Sequence, residues 1–249
     1  MTLGQAQDRS DAQLAREIAC GAGSLLLELR KTFSGAEAGR EGDAQANALI
    51  VERLLAERPE DALLSEERLC DGARLKASRV WIVDPLDGTR EYAEGRDDWA
   101  VHIGLAIDGV PTVGAVSIPA RNECWSSDAP YPPHPIARPL RMVVSRTRPA
   151  KEALMVAEAL GAEMLPMGSA GAKAMAVVRG DAEIYLHTGG QYEWDNCAPA
   201  AVALAAGLHV SRVDGAPLVY NCEDPSLPDL LICRHELAEP ILHLLAKET

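Results

Sequence analysis

The sequence predicts a mixed fold, α+β in its first part and α/β in its second, and three observations carry that reading. Two amphipathic helical stretches precede an antiparallel hairpin. A proline-rich break follows at 128–139, and beyond it short β-rich runs alternate with helical ones. At 249 residues the chain makes one large domain or two modest ones, and with 47% of residues hydrophobic it can bury a substantial core. The break divides it into expected domains 1–139 and 140–249.

Ser10-Asp-Ala-Gln13 has the form of a capping box, after which Leu14, Ile18, Ala22, Leu25, Leu26 and Leu29 recur at helical spacing. A second helix is expected from about Asp43 to Glu57, with Pro59 just past its end. Ala62 to Ser65 and Arg79 to Asp84 read as strands. Trp99 to Ile107 and Val110 to Ile118 read as a hairpin closed by Asp108-Gly109. Prolines 130, 132, 133, 135 and 139 then interrupt regular structure. The second half reads as strand Arg141 to Ser145, helix Pro149 to Leu160, a strand near Met164, helix Ala170 to Val178, strand Ala182 to Leu186 and helix Asn196 to Gly207. Strands Val210 to Val213, Leu218 to Tyr220 and Leu230 to Cys233 follow, then a last helix from about Glu236.

Charge narrows the function. A formal net charge of -13 argues against a nucleic-acid polymer as partner, and any anionic ligand requires a local positive device. The opening MTLGQAQDRSD holds no apolar stretch that would serve as secretory signal or anchor. The apolar run Cys197 to Leu208 falls short of a bilayer's thickness, so a cytoplasmic protein without membrane association is expected. Cysteines 20, 70, 124, 197, 222 and 233 form no Cys-x-x-Cys pair and are expected as reduced, mostly buried thiols.

Acidic residues cluster at element ends: Asp43, Glu66 with Glu67, Asp84 with Asp87, and Asp195. In Asp84-Pro-Leu-Asp-Gly-Thr89, two carboxylates sit on a turn where the apolar strand Val80 to Val83 ends. Asp, Pro and Gly are also the ordinary vocabulary of tight turns, Glu66-Glu67 alone would suit a solvated surface, and Asp43 or Asp195 alone would suit a helix start. Their combination is better explained by a divalent cation, since like charges gathered at one point repel without one. Hard ions such as Mg²⁺ prefer such oxygen ligands.

On Asp84 to Thr89, the Glu66-Glu67 pair and Trp194-Asp195, the chain resembles the lithium-sensitive, magnesium-dependent phosphatase superfamily of inositol monophosphatases and CysQ-type 3′(2′),5′-bisphosphate nucleotidases. The resemblance implies a layered αβαβα sandwich, two or three Mg²⁺ ions per site and a homodimer. It implies that Glu66, Asp84, Asp87 and Asp195 bind metal with the Leu86 carbonyl, Asp84 bridging two ions. Asp43 with Thr89 would orient the attacking water beside the catalytic Glu66 and Glu67. Gly88 and Thr89 would hold phosphate oxygens through backbone N–H groups.

Asp87-Gly-Thr-Arg-Glu-Tyr92, Gly168-Ser-Ala-Gly-Ala-Lys173, Glu193-Trp-Asp195 and Pro217-Leu-Val-Tyr-Asn221 resemble the nucleotidase branch more than the inositol phosphatases. Arg90, Ser145, Arg146, Ser169, Lys173, Glu193 and Asp195 become candidate substrate contacts. Lys173 is read as a contact to a second phosphate or else an exposed helix charge, Arg146 as an anion contact or a surface arginine, and His187 as structural or exposed. The implied reaction is removal of the 3′-phosphate from an adenosine bisphosphate, with its sulfated relative as second substrate, in support of sulfate assimilation. An inositol monophosphatase, a fructose-1,6-bisphosphatase-like sugar phosphatase and a catalytically silent binding protein are the alternatives.

Overall fold

The computed structural model describes residues 9–67, 72–132 and 134–247. Helices α1 (Asp11–Thr32) and α2 (Gly35–Glu57) form the outermost layer. The Ser10 hydroxyl accepts from the Gln13 N–H and the Gln13 side chain accepts from the Ser10 N–H, so the expected capping box starts α1. Beneath lies a five-stranded sheet in the order β1 (Ala62–Ser65), β2 (Arg79–Asp87), β3 (Ala100–Ile107), β4 (Val110–Ile118), β5 (Glu123–Ser126). Only the β1–β2 pair is parallel. The short helix α3 (Thr89–Ala93) leaves the end of β2.

The chain then crosses, without helix or strand among the described residues, from β5 to β6 (Arg141–Ser145), in a second five-stranded sheet. Its order is β7 (Glu163–Met167), β6, β8 (Ile184–Tyr192), β10 (Ser226–Cys233), β9 (His209–Ser211). Helices α5 (Ala170–Arg179) and α6 (Glu193–Ala205) fill the space between the sheets, while α4 (Lys151–Leu160) and α7 (His235–Leu245) cover the far face of the second. The five layers are therefore α, β, α, β, α, as expected.

Both faces of the first sheet are covered, which is why its central strands read as nearly continuous apolar runs. In β2, Trp81 and Val83 face the helices α1 and α2, where they meet Leu14, Ile18, Leu26 and Ile50. Val80 and Ile82 face the middle layer, with Ala198, Val202 and Tyr185. The two sides alternate at the period of a strand. A third core beneath α4 and α7 gathers Met142, Val156, Ile184, Leu231 and Ile241. Asp108 and Gly109 both adopt positive φ, the backbone of the tight turn their sequence predicts between β3 and β4.

Three expectations need correction. The second helix begins at Gly35, so Asp43 lies well inside α2 instead of at its start. The extra turns pack closely, since a Cβ on Gly39 would come within 2.9 Å of the Thr89 methyl. Trp194 and Asp195 lie within the first turn of α6, which begins at Glu193. Leu218 to Tyr220 form no strand, because the backbone there is tied to the β3–β4 turn by the Tyr220 N–H on the Gly109 carbonyl. The short β5 was not anticipated. Cys70 and Pro133 lie outside the described residues, as does the N-terminal stretch 1–8. Among the described residues, no helix is long and apolar enough to cross a membrane.

Helix α6, which carries Asp195, lies unusually close to the first sheet. A Cβ on Gly114 of β4 would stand 2.3 Å from the Ala198 carbonyl oxygen and 2.9 Å from Ala201 Cβ. Gly114→Ala should therefore force α6 outward and cost about 1–3 kcal/mol. Urea unfolding reads this as a lower midpoint at unchanged slope, and an unchanged midpoint would contradict the close fit.

Candidate active site

The strand β2 ends in Asp84-Pro85-Leu86-Asp87, where its register with β3 breaks between Asp84 and Asp87. The Leu86 N–H donates to Asp84 Oδ1 at 3.0 Å, so the Asp84 carboxylate organises the turn that follows it. The irregularity brings Asp84 and Asp87 to the same side. Asp195, arriving from α6, completes a group whose ligand oxygens all lie within 4.8 Å of one another. Glu66 follows β1 and sits beside the same group: its N–H donates to the Val83 carbonyl, and its carboxyl is close enough for Asp87 and Asp84 to act on it. Glu66 and Glu67 both keep exposed surface, and Glu67 is close enough for its charge to act on Glu66 and Asp43.

Each carboxylate is held from behind. The N–H groups of Ala170 and Gly171, in the first turn of α5, donate to Asp87 Oδ1 at 3.2 Å and Oδ2 at 2.7 Å. His102 Nε2 stands 3.1 Å from Asp87 Oδ2, and its other nitrogen lies 3.0 Å from the Trp194 carbonyl. The Tyr192 N–H donates to Asp195 Oδ2 at 2.6 Å. Asp43 Oδ2 lies 3.3 Å from the Thr89 hydroxyl, which is also 3.1 Å from the Leu86 carbonyl. The Asp43–Thr89 pair is thus formed, although Asp43 reaches it from the middle of a helix. Asp43 Oδ1 is buried without a partner.

Crowding sets the electrostatics. Burial, then the charges of Glu66, Asp87, Asp195 and Asp43, push the Asp84 carboxyl well above its ordinary range. Burial and the neighbouring Asp87 raise Asp195 to about 7, opposed by the Tyr192 N–H. Burial with Glu67 and Glu66 raises Asp43 to about 7. Glu66 is raised by burial, Asp87 and Glu67. Asp87 alone goes the other way: burial works against its charge, but His102, the Gly171 N–H and Lys173 outweigh it. A site that gathers hard oxygen donors and then resists their ionisation fits a divalent cation, which would offset the repulsion. Asp84, Asp87 and Asp195, with Glu66 beside them, are the residues that could hold one. The Leu86 carbonyl is engaged by Thr89.

A cleft of about 590 Å³ opens beside Asp87 and Asp195. One wall is the turn Gly88-Thr89-Arg90, and the opposite wall carries Ser145, Arg146 and Arg148. Gly168 and Ser169 line the floor between them. Their turn is pinned by Asp98, which accepts the Gly168 N–H at 2.7 Å, and Ser169 caps α5 by accepting from the Ala172 N–H at 2.9 Å.

Several substrate candidates behave differently from the expectation. Lys173 is no exposed charge: it is 4% exposed, and its ammonium donates to the carbonyls of Gly168 and Ser169. Two of its three protons support the floor, so it cements the turn before it reads any ligand. Glu193 is fully buried outside the cleft, its two oxygens accepting the N–H groups of Asn221 and Cys222 at 2.7 Å each. It braces the Tyr220-Asn221 segment and has no acceptor free for substrate. Arg146 lines the cleft but is held by Glu91 at 2.7 Å and Glu94 at 2.9 Å. Ser145 accepts from the Arg148 N–H.

Three residues escaped the sequence reading. His102 is a polar residue inside the apolar strand β3, and that interruption was the available clue. Arg148 lines the cleft two residues beyond Arg146, near His187, whose pKa is lowered by burial, Lys173 and Arg148. Gln191 lines the cleft at the end of a buried chain in which Tyr220 donates to Asn196, Asn196 to Gln191 and Gln191 to Tyr185.

The profile of the inositol monophosphatase family matches residues 9–130 and 134–247. The 3′-phosphoadenosine 5′-phosphate phosphatase of Mycobacterium leprae (strain TN) is 51% identical over 250 residues, covering 94% of this chain and 92% of the relative. The 3′(2′),5′-bisphosphate nucleotidase CysQ of Escherichia coli (strain K12) is 32% identical over 191 residues, 72% and 78% of the two chains. Among solved structures, CysQ from Bacteroides thetaiotaomicron superposes with a TM-score of 0.76 at 26% identity, over 90% of this chain and 97% of the other.

The raised carboxyls fix the direction of a pH effect. Asp43 and Asp195 titrate near 7 when folded against 3.8 for the ordinary group, so the folded state binds protons the unfolded state does not. Their stabilisation is full below pH about 4 and is lost as pH rises through about 7. Urea midpoints of the metal-free protein should fall over that window, and a saturating divalent cation should flatten the profile. A decline of equal steepness with and without the cation would contradict a cation-binding cluster.

Proposed function

The chain belongs to the inositol monophosphatase family, and on that premise we propose that it is a phosphatase removing the 3′-phosphate of 3′-phosphoadenosine 5′-phosphate, giving AMP and phosphate, with Mg²⁺ as the metal. The sulfated analogue of that nucleotide is a second substrate of the same chemistry, giving adenosine 5′-phosphosulfate. One observation carries the reading: an acidic metal cluster and cationic side chains flank the same cleft. A substrate with two separated anionic groups spans such a site, one phosphate over the cluster and the other at Arg148, His187 and Arg146. The family is metal-dependent, and the relatives named above act on phosphorylated nucleotides of this kind.

Asp84, Asp87, Asp195 and Glu66 would hold the metal. When bound, divalent ions would lower the pKa of the attacking water and offset charge on the leaving oxygen. The protein's own groups do the rest. Backbone N–H groups of Gly88 and Thr89 line the cleft beside Asp87 and are placed to hold phosphate oxygens. The Thr89 hydroxyl, its one proton shared between the Leu86 carbonyl and Asp43, keeps a lone pair with which to orient the water, and Asp43 stands behind it to take the proton. Its pKa of about 7 suits a base working near neutrality. Lys173 and Asp98 keep the Gly168-Ser169 floor in place. Arg148, with no acidic partner of its own among the described residues, is the cation best placed to read the second phosphate.

Phosphate release from 3′-phosphoadenosine 5′-phosphate, its sulfated analogue, inositol 1-phosphate and fructose 1,6-bisphosphate, with and without Mg²⁺, tests the reaction. Turnover should be fastest on the bisphosphorylated nucleotide and absent under chelation. Asp84→Asn should lower it by roughly 100-fold or more, while wild-type activity in that variant would contradict the metal site.

Specificity has its own test. Arg148→Ala removes one charge-assisted contact worth about 1.5–3 kcal/mol, hence roughly a tenfold to hundredfold loss of kcat/KM on the bisphosphate. Inositol 1-phosphate should lose little. Lys173→Ala should weaken both substrates, because it loosens the floor they share. Equal losses on both substrates for Arg148→Ala would remove the second-phosphate assignment.

A further inference from the structure

The side of the first sheet away from the cleft carries a feature that phosphate chemistry does not use. Cys20 of α1 and Cys124 of β5 line one small cavity of about 120 Å³ with Ser24, Ser117 and Glu123. About a hundred residues separate them in the chain, yet the fold brings both side chains to the wall of the same cavity. Both thiols are free and only partly buried. The Cys124 thiol donates to the Arg16 carbonyl at 3.9 Å, one helical turn before Cys20 on α1, which sets its sulfur beside that of Cys20. Cys197 and Cys233, by contrast, are fully buried.

We propose that Cys20 and Cys124 form a redox-active dithiol that closes to a disulfide, stapling α1 to β5, when the protein meets a hydroperoxide. The Cys20 thiolate attacks one peroxide oxygen, so an S–O bond forms, the O–O bond breaks and, with hydrogen peroxide as oxidant, the other oxygen leaves as water after taking a proton. Cys124, giving up its proton, displaces the hydroxyl of the Cys20 sulfenic acid; the S–S bond forms and a second water leaves. Two thiols lose two electrons and the peroxide gains them. A small dithiol reverses the reaction.

The surroundings favour Cys20 as the attacking sulfur. The neighbouring Cys124 pulls its pKa down to about 7 against the cost of burial, and the Arg16 guanidinium helps. Cys124 is pushed up correspondingly by Cys20 and by burial, so it keeps its proton until the second step. Other charged or titratable neighbours are occupied elsewhere. Glu123 pairs with Arg179 of α5 at 2.7 Å, and the Tyr131 hydroxyl is committed to the Ser126 backbone. The thiols of Cys197, Cys222 and Cys233 are all raised, so selectivity among the described cysteines falls to Cys20.

The experiment uses the full-length protein, wild type, Cys20→Ser and Cys124→Ser, each reduced and then exposed to hydrogen peroxide before alkylation and peptide mass spectrometry. Wild type should yield a crosslinked Cys20–Cys124 peptide, lighter by two hydrogens and lost on dithiothreitol treatment. Its melting temperature should rise by roughly 5 °C or more, since the bridge closes a long loop. Cys124→Ser should give no crosslink and accumulate a dimedone-reactive Cys20, with the midpoint of its alkylation rate against pH moved up from about 7. Cys20→Ser should show neither. Cooperative melting of both untreated variants near the reduced wild type checks their folding. A wild-type Cys20 that stays fully alkylatable after peroxide, or a crosslink joining other cysteines, would overturn the proposal.

Discussion

Asp84, Asp87 and Asp195 bring carboxylate oxygens within 4.8 Å of one another in a place water hardly reaches, and Glu66 adds a fourth acid beside them. Left to themselves such groups repel, and burial removes the solvent that would screen them. The protein meets this constraint unevenly. It stabilises one charge, Asp87, with two helix N–H groups and a histidine, and leaves Asp84, Asp195 and Asp43 with raised pKa values. That imbalance prepares the site for a cation, because the repulsion a divalent ion relieves adds to its apparent affinity.

Much of the surrounding architecture keeps the four acids in register. Asp84 sits on the first sheet, Asp195 on a helix of the middle layer, and Asp43 on a helix of the outer layer, so three layers must hold their spacing for the site to exist. Close contacts at Gly114 and Gly39 fix two of those spacings. The buried clamp of Glu193 on Asn221 and Cys222, joined by Arg74 to Asn221, ties the start of α6 to the segment beyond β9. Lys173 performs a similar service for the cleft floor. Charged residues that look like ligand contacts in a linear sequence thus turn out to support the backbone that makes the contacts.

The acidic cluster was legible because its residues lie at the ends of strands and helices whose periodicity is plain, and because Asp84 to Thr89 is a compact motif. The hairpin turn and the cap of α1 were legible for the same local reason. What escaped was set by tertiary contact. Asp43 was expected at a helix start, yet α2 begins at Gly35, and Gly39 and Gly42 let it pass close to Thr89 and Leu86. Glu193 stands two residues before Asp195 in sequence, yet its carboxylate is buried against Asn221 and Cys222 instead of facing the cluster. His102 was hidden in an apolar strand, and the meeting of Cys20 with Cys124 depends on how α1 crosses β5, which no local pattern encodes.

Crystals of the protein soaked in Mn²⁺, with anomalous difference maps measured at the manganese edge, put the central claim to its most direct test. The account predicts a peak among Asp84, Asp87 and Asp195 at direct coordination distance, about 2.0–2.3 Å from their carboxylate oxygens. Asp84→Asn crystals treated alike should lose most of it. A wild-type map with no peak at the cluster, or with manganese bound only elsewhere on this acidic protein, would contradict it.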